Sequence, residues 1–230
     1  QEANSAAVAN LQSQIQANNM VPFYEAVYLK ELCLPPLQAS VVSQMCSKNE
    51  EQLRLIDEKI ADAEKNLGET DILELLQQKA SFYCQIGDKE RAIEALKLVM
   101  SKTSAAGTKI DCYFCMVRLA FVFEDHKLIE SSLERCKILI EEGGDWDRRN
   151  KMKIYEACHA MLKRDFQSCA TLLTSSLATF TYAGMLTLKE VAKYCVISTL
   201  FKFNRKDLKD KVLNAPEVIE MLNELPTYQQ

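Results

Sequence analysis

The sequence predicts an all-α protein built as a stacked array of helix–turn–helix repeats, and three observations predict it. A small-residue pattern returns at intervals of 38 to 40 residues: Ala80 with Ala92, Ala120 with Ser132, and Cys158 with Ala170, each pair twelve apart. A period of this size marks a stacked helical array. Second, no proline lies between Pro36 and Pro216, and the 230 residues hold only six glycines; a proline inside a helix costs roughly 3 kcal/mol. Third, few runs alternate apolar and polar residues as a half-buried strand would.

Composition narrows the class. The net charge of −4 is too mild for a nucleic-acid binder or an acidic tail. No apolar run reaches the roughly 18 residues of a membrane span, and no signal peptide is visible. The chain starts at Gln1, which reads as a processed or cut terminus. Nine cysteines, an odd number, run from Cys33 and Cys46 through Cys84, Cys112, Cys115, Cys136, Cys158 and Cys169 to Cys195. In a chain without a signal sequence they read as reduced, mostly buried thiols, which places the protein in the cytoplasm and nucleus.

Taken in order, residues 1–20 carry a single charge, Glu2, and read as a tail, frayed or disordered. Residues 21–67 read as amino-terminal helices. Pro22 fits the first turn of a short helix through Phe23, Tyr24, Val27 and Tyr28, which Pro35-Pro36 ends. Leu37 to Cys46 reads as another short helix. Ser47 and Glu50 then have capping-box spacing and predict a new helix to about Leu67, with Gly68 as its C-cap. Leu53, Ile56, Ile60, Ala63 and Leu67 form a narrow stripe on it, suited to one partner helix.

Residues 68–215 read as the repeats. Block one pairs helices at about 71–86 and 88–102, block two at 108–124 and 127–142, and block three at 147–163 and 165–179. An aromatic or long apolar residue follows the first small one by three: Tyr83, Phe123, Met161. A charged break precedes the second: Gly87-Asp88-Lys89, Glu124-Asp125-His126, Arg164-Asp165. The second helices carry Ala92, Leu96 and Val99; Ser132, Cys136 and Leu139; Ala170, Thr174 and Leu177, all at steps of four and three. A degenerate fourth block spans Leu186 to Leu213. Its basic stretch from Lys202 to Lys211 reads as a solvated face before a contact site. Residues 216–230 read as the start of a truncated continuation.

The junction between blocks two and three has its own chemistry. Gly143-Gly144 is expected to end a helix in a left-handed turn. Asp145 is a good N-cap for the next helix, and Asp147 suits its positive end. Arg148 and Arg149 lie near Glu141 and Glu142. Trp146, the only tryptophan, reads first as a plug closing the turn and second as a contact residue.

The sequence carries no recognisable catalytic or ligand-binding motif. Nucleophilic catalysis needs a base, usually His, and only His126 and His159 are available. His159 follows Cys158, and helix neighbours point about 100° apart, so the two cannot face one substrate. Cys112 and Cys115 have metal-like spacing but no second pair, and read as core packing. None of the glycines makes a nucleotide fingerprint. The sequence thus implies no catalytic, cofactor-binding or metal residues and no cofactor, and it assigns no partner-binding residues.

Two resemblances sharpen this. The repeat offsets resemble a tetratricopeptide-type repeat, though the spacing exceeds the roughly 34 residues of the standard one. The segments EEGGDWDRRNKMKIY from Glu141, DAEKNLGE from Asp62, IGDKERAIEAL from Ile86 and NNMVPFYEAV from Asn18 resemble the lid subunits of the 26S proteasome. Those belong to the family of lid, signalosome and initiation-factor scaffolds that carry a C-terminal PCI domain. The resemblance covers residues 18 to 226 and implies a right-handed superhelical arm of TPR-like repeats without the PCI winged helix. It implies a non-catalytic scaffold that supports lid assembly and lid–base contact in ubiquitin-dependent degradation. The implied partners are other lid subunits, ATPase base subunits and the lid deubiquitinase, with neither nucleic acid nor membrane; the isolated fragment is expected to be monomeric. A signalosome subunit and a free peptide-binding adapter are the alternatives. EEGGDWDRRN and AEKNLGE argue against the first, and the lack of a repeated Asn, Lys and Arg groove argues against the second.

Overall fold

The computed structural model describes residues 2–29, 35–66, 68–180, 182, 184–216 and 218–220. Every regular element among them is helical: α1 (Glu2–Ala17), α2 (Val21–Phe23), α3 (Ala39–Asn66), α4 (Glu69–Ile86), α5 (Lys89–Lys102), α6 (Ala106–Val122), α7 (His126–Gly143), α8 (Trp146–Leu162), α9 (Phe166–Leu177), α10 (Leu188–Lys202) and α11 (Arg205–Leu208). Short π-helical segments follow α2 (Tyr24–Leu29) and α11 (Lys209–Leu213). The fold is an all-α helical repeat. Cys33, Leu67 and the continuation beyond residue 220 lie outside the described residues.

Packing divides the chain within block two, into one compact unit ending at Glu124 and a second beginning at Asp125. In the first, α3 packs on α4, α4 on α5, and α5 on α6; in the second, α7 packs on α8, α8 on α9, and α9 on α10. Chain neighbours are therefore spatial neighbours, as stacked repeats require.

The amino-terminal residues form a helix whose end is packed. Ile15 is fully buried and joins Val21, Phe23, Tyr24, Val27, Tyr28 and Met45 in one cluster. Burying an apolar side chain of this size stabilises by roughly 1.5–3 kcal/mol. The Tyr28 hydroxyl donates to the Pro35 carbonyl at 2.9 Å and accepts from Gln12 Nε2 at 2.6 Å. The Tyr24 hydroxyl accepts from the Leu37 N–H at 2.9 Å. A further tie crosses to α3, where Asn49 Nδ2, in a buried side chain, donates to the Asn19 carbonyl at 2.8 Å.

Two expected boundaries are corrected. The helix passes straight through Ser47, whose hydroxyl donates back to the Ser43 carbonyl at 3.2 Å instead of capping a new helix. This i−4 bond is what a serine makes inside a helix, and it leaves the Ser-x-x-Glu spacing without a capping role. Gly68 starts a helix instead of ending one. Its backbone is extended (φ −84°, ψ 169°), and its N–H donates to the Asp71 carboxylate at 3.3 Å. The stripe on α3 does face its partner: Leu53, Ile56 and Ile60 are half-buried and Ala63 is fully buried.

Candidate interaction surface

The three repeat turns share one design. The second residue of each break is an aspartate N-cap, whose carboxylate accepts from the backbone N–H three residues on: Asp88 from Arg91 at 3.1 Å, Asp125 from Leu128 at 3.0 Å, Asp165 from Ser168 at 3.1 Å. The residue before each aspartate is left-handed, with φ of 74° at Gly87, 52° at Glu124 and 59° at Arg164. At the first and third turns the aspartate N–H reaches back five residues, to the carbonyls of Tyr83 and Ala160, which closes a Schellman motif.

Aligned on these turns, the repeat register differs from the small-residue pattern. The positions equivalent to Ala80 and Ala92 are Val117 with Ile129 in block two and Ala157 with Cys169 in block three, again twelve apart. All six are at most 1% exposed. Block two is displaced by three residues, which keeps the same helix face, so Ala120 and Ser132 are buried as well. In block three the displacement is one residue: Ala170 is fully buried beside Cys169, while Cys158 is only half-buried. In this register Leu96, Leu133 and Leu173 occupy one position, eight residues after the capping aspartate, and all are buried.

At the second junction, Asp145 caps α8 by accepting from Arg148 N–H at 2.8 Å, and the Arg148 guanidinium bonds the same carboxylate. Lys151 pairs with Asp147 one turn on, at 2.7 Å. The left-handed turn expected at Gly143-Gly144 is absent: Gly143 is helical and Gly144 is extended, with φ −67° and ψ 137°. Glycine is needed at 144 for proximity instead, since a Cβ there would lie 2.7 Å from Ile140 Cα. Trp146 is 62% exposed, so it does not plug the turn.

Beside this junction, α7, α8 and α9 enclose a groove of about 350 Å³. Glu130, Glu134 and Lys137 face it from α7, Glu156, His159 and Lys163 from α8 or its C-cap, and Asp165 from the following turn. Lys163 and Glu130 bridge the groove at 2.6 Å, and the hydrogen bond to Lys163 holds the Glu130 carboxyl below its ordinary value. Burial pushes the Glu156 carboxyl up, with Lys137 opposing. His159 is 9% exposed, and its Nε2 is buried with no hydrogen-bond partner. Burial and then the Lys163 charge hold His159 down, against Glu130, so the ring is neutral near pH 7. No local motif could have revealed this groove, because Glu130 and Lys163 stand 33 residues apart.

Burial disfavours the thiolate form at Cys112, Cys115 and Cys158. Burial, then neighbouring Cys115, pushes Cys112 to about 12. Burial raises Cys115 too, although Arg118 donates to its sulfur at 2.9 Å. Cys158 is pushed to about 12 by burial. A thiolate is the nucleophilic form, and burial disfavours it at these three cysteines. No group of three or more His, Cys, Asp or Glu among the described residues is arranged for a metal, and no described helix is long and apolar enough to cross a membrane.

A family described as 26S proteasome subunit RPN7 matches residues 38–211. The chain is 39% identical over 212 residues to the 26S proteasome non-ATPase regulatory subunit 6 homolog of Arabidopsis thaliana, covering 92% of the chain and 54% of that protein. It is 34% identical over 216 residues to 26S proteasome non-ATPase regulatory subunit 6 of Dictyostelium discoideum, covering 94% and 56%. With 26S proteasome regulatory subunit RPN7 of Saccharomyces cerevisiae it shares 37% over 186 residues, covering 79% and 42%. The chain thus spans about half the length of the curated relatives it matches.

Proposed function

Because the chain belongs to the 26S proteasome subunit RPN7 family, we propose that it is the helical arm of a non-catalytic scaffold subunit in the lid of the regulatory particle. The observation that carries this reading is the triplicated turn. The same left-handed conformation and the same aspartate cap recur at the start of each block's second helix. Such units packed on their neighbours hold exposed faces at fixed separations, which is the mechanical task of a scaffold. The partners are other lid subunits, ATPase base subunits and the lid deubiquitinase. The setting is ubiquitin-dependent degradation in the cytoplasm and nucleus.

Affinity capture of the tagged full-length protein from cell extract tests this. Co-purification of ATPases and a 20S core is expected. Recovery of a single chaperone or peptide-bearing client, without them, would replace the scaffold with an adapter. Recovery of a signalosome-type complex would assign the arm to the sister assembly.

A further inference from the structure

The groove between α7, α8 and α9 carries an uncompensated chemistry. Four carboxylates face it (Glu130, Glu134, Glu156 and Asp165) against two ammonium groups, Lys137 and Lys163. Lys163 is already committed to Glu130 at 2.6 Å. His159, nine-tenths buried, lines the same groove with an Nε2 that no group among the described residues satisfies. An orphaned buried polar atom is costly unless something supplies its partner. A neutral imidazole nitrogen without its own hydrogen accepts a hydrogen bond, so a donor suits it. At about 350 Å³ the groove sits at the low end of pocket sizes, suited to one long side chain and too small for a helix.

We propose that this groove receives an arginine or lysine side chain from a partner protein, which donates to His159 Nε2 and sits among the carboxylates of Glu156, Glu134 and Glu130. The excess of carboxylates selects a cation, and its N–H groups suit an Nε2 that accepts when the ring proton is on Nδ1. An acidic segment or a nucleic-acid phosphate would meet repulsion from four carboxylates. The aliphatic stem of the incoming side chain rests on Leu133, Ala160 and Leu172, which complete the lining. The inference rests on the scaffold reading for supplying a protein partner.

Fluorescence anisotropy with full-length protein and fluorescein-labelled hexaarginine tests it, with hexaglutamate and spermine as competing probes. Hexaarginine is expected to bind. Glu156→Gln and His159→Phe are each expected to weaken it about tenfold, the scale of one charge-assisted hydrogen bond. Glu90→Gln, in block one, removes the same charge at a distance and is expected to leave binding within about twofold. Lys163→Met releases Glu130 and is expected to tighten binding, a gain that a misfolded variant cannot imitate. Equal weakening by Glu90→Gln and Glu156→Gln would reduce the effect to net charge and overturn the site. So would hexaglutamate binding, or unchanged binding in Glu156→Gln. Spermine binding with the same variant profile would make the occupant a free polyamine and overturn the protein-segment assignment. Groove-dependent hexaarginine binding by a protein that captures no proteasome complex would sink the scaffold reading alone.

Discussion

The first and third repeat turns have the same backbone and opposite surroundings. At Gly87-Asp88 the left-handed residue lies under Phe23, and a Cβ on it would come within 2.6 Å of Phe23 Cβ. At Arg164-Asp165 the same conformation is held by an exposed arginine at the edge of the α7–α9 groove. Left-handed geometry alone therefore does not demand glycine; it costs a residue with a Cβ roughly 1–2 kcal/mol, which a packed repeat can carry. What demands glycine is the neighbour lying on top. A turn sealed by another element has lost its surface, whereas an uncovered turn keeps a charged one, and the uncovered turn is the one beside the unsatisfied histidine.

Charge forced into the helix crossings should have the largest effect and should not distinguish the two blocks. Ala92→Glu and Ala170→Glu each bury a carboxylate at a fully enclosed position. Each is expected to destabilise by several kcal/mol, about 3–5, in urea unfolding followed by circular dichroism. Near-wild-type stability of both would dissolve the repeat itself. Next in size comes Gly87→Ala, which combines left-handed strain with a clash against Phe23, for an expected loss of about 2–4 kcal/mol. Arg164→Gly should reverse the sign. Relief of the strain, offset by the added freedom of glycine when unfolded, leaves a gain of about 0.5 kcal/mol in the same assay. If both turn variants destabilise alike, the contrast between sealed and open turns is wrong. The smallest effect belongs to Trp146→Ala. An indole this exposed should alter stability by under about 0.5 kcal/mol, so any loss of co-captured subunits would identify it as a contact residue. A large drop in melting temperature would restore the plug.

The helix pairs are legible in the sequence because each turn announces itself: a charged break containing Asp88, Asp125 or Asp165, one of the residue types that cap helices best. The register was not legible from small residues. A repeat position needs a buried side chain that fits, and the large Val117 and Ile129 are buried in block two where the small Ala80 and Ala92 are buried in block one. Counting forward from the capping aspartate to Leu96, Leu133 and Leu173 would have found the alignment. The capping box at Ser47 failed because hydroxyl-to-backbone bonds form inside helices as readily as at their starts. At Gly144 the nearness of Ile140, and not a positive φ, is what favours glycine, and no local sequence pattern distinguishes the two. The groove lay beyond reach because its charges come from three helices, and a one-dimensional pattern carries no record of which carboxylate faces which lysine.

The tie between Asn49 and Asn19 sets a timetable for synthesis. Asn19 emerges from the ribosome thirty residues before its partner amide exists. At roughly 5–20 residues per second, Asn19 waits about 2–6 s for that amide, and the cluster around Tyr24 and Tyr28 stays incomplete until α3 brings Met45 to it. Until then Phe23 and Val27 lack part of the cover they have in the folded chain.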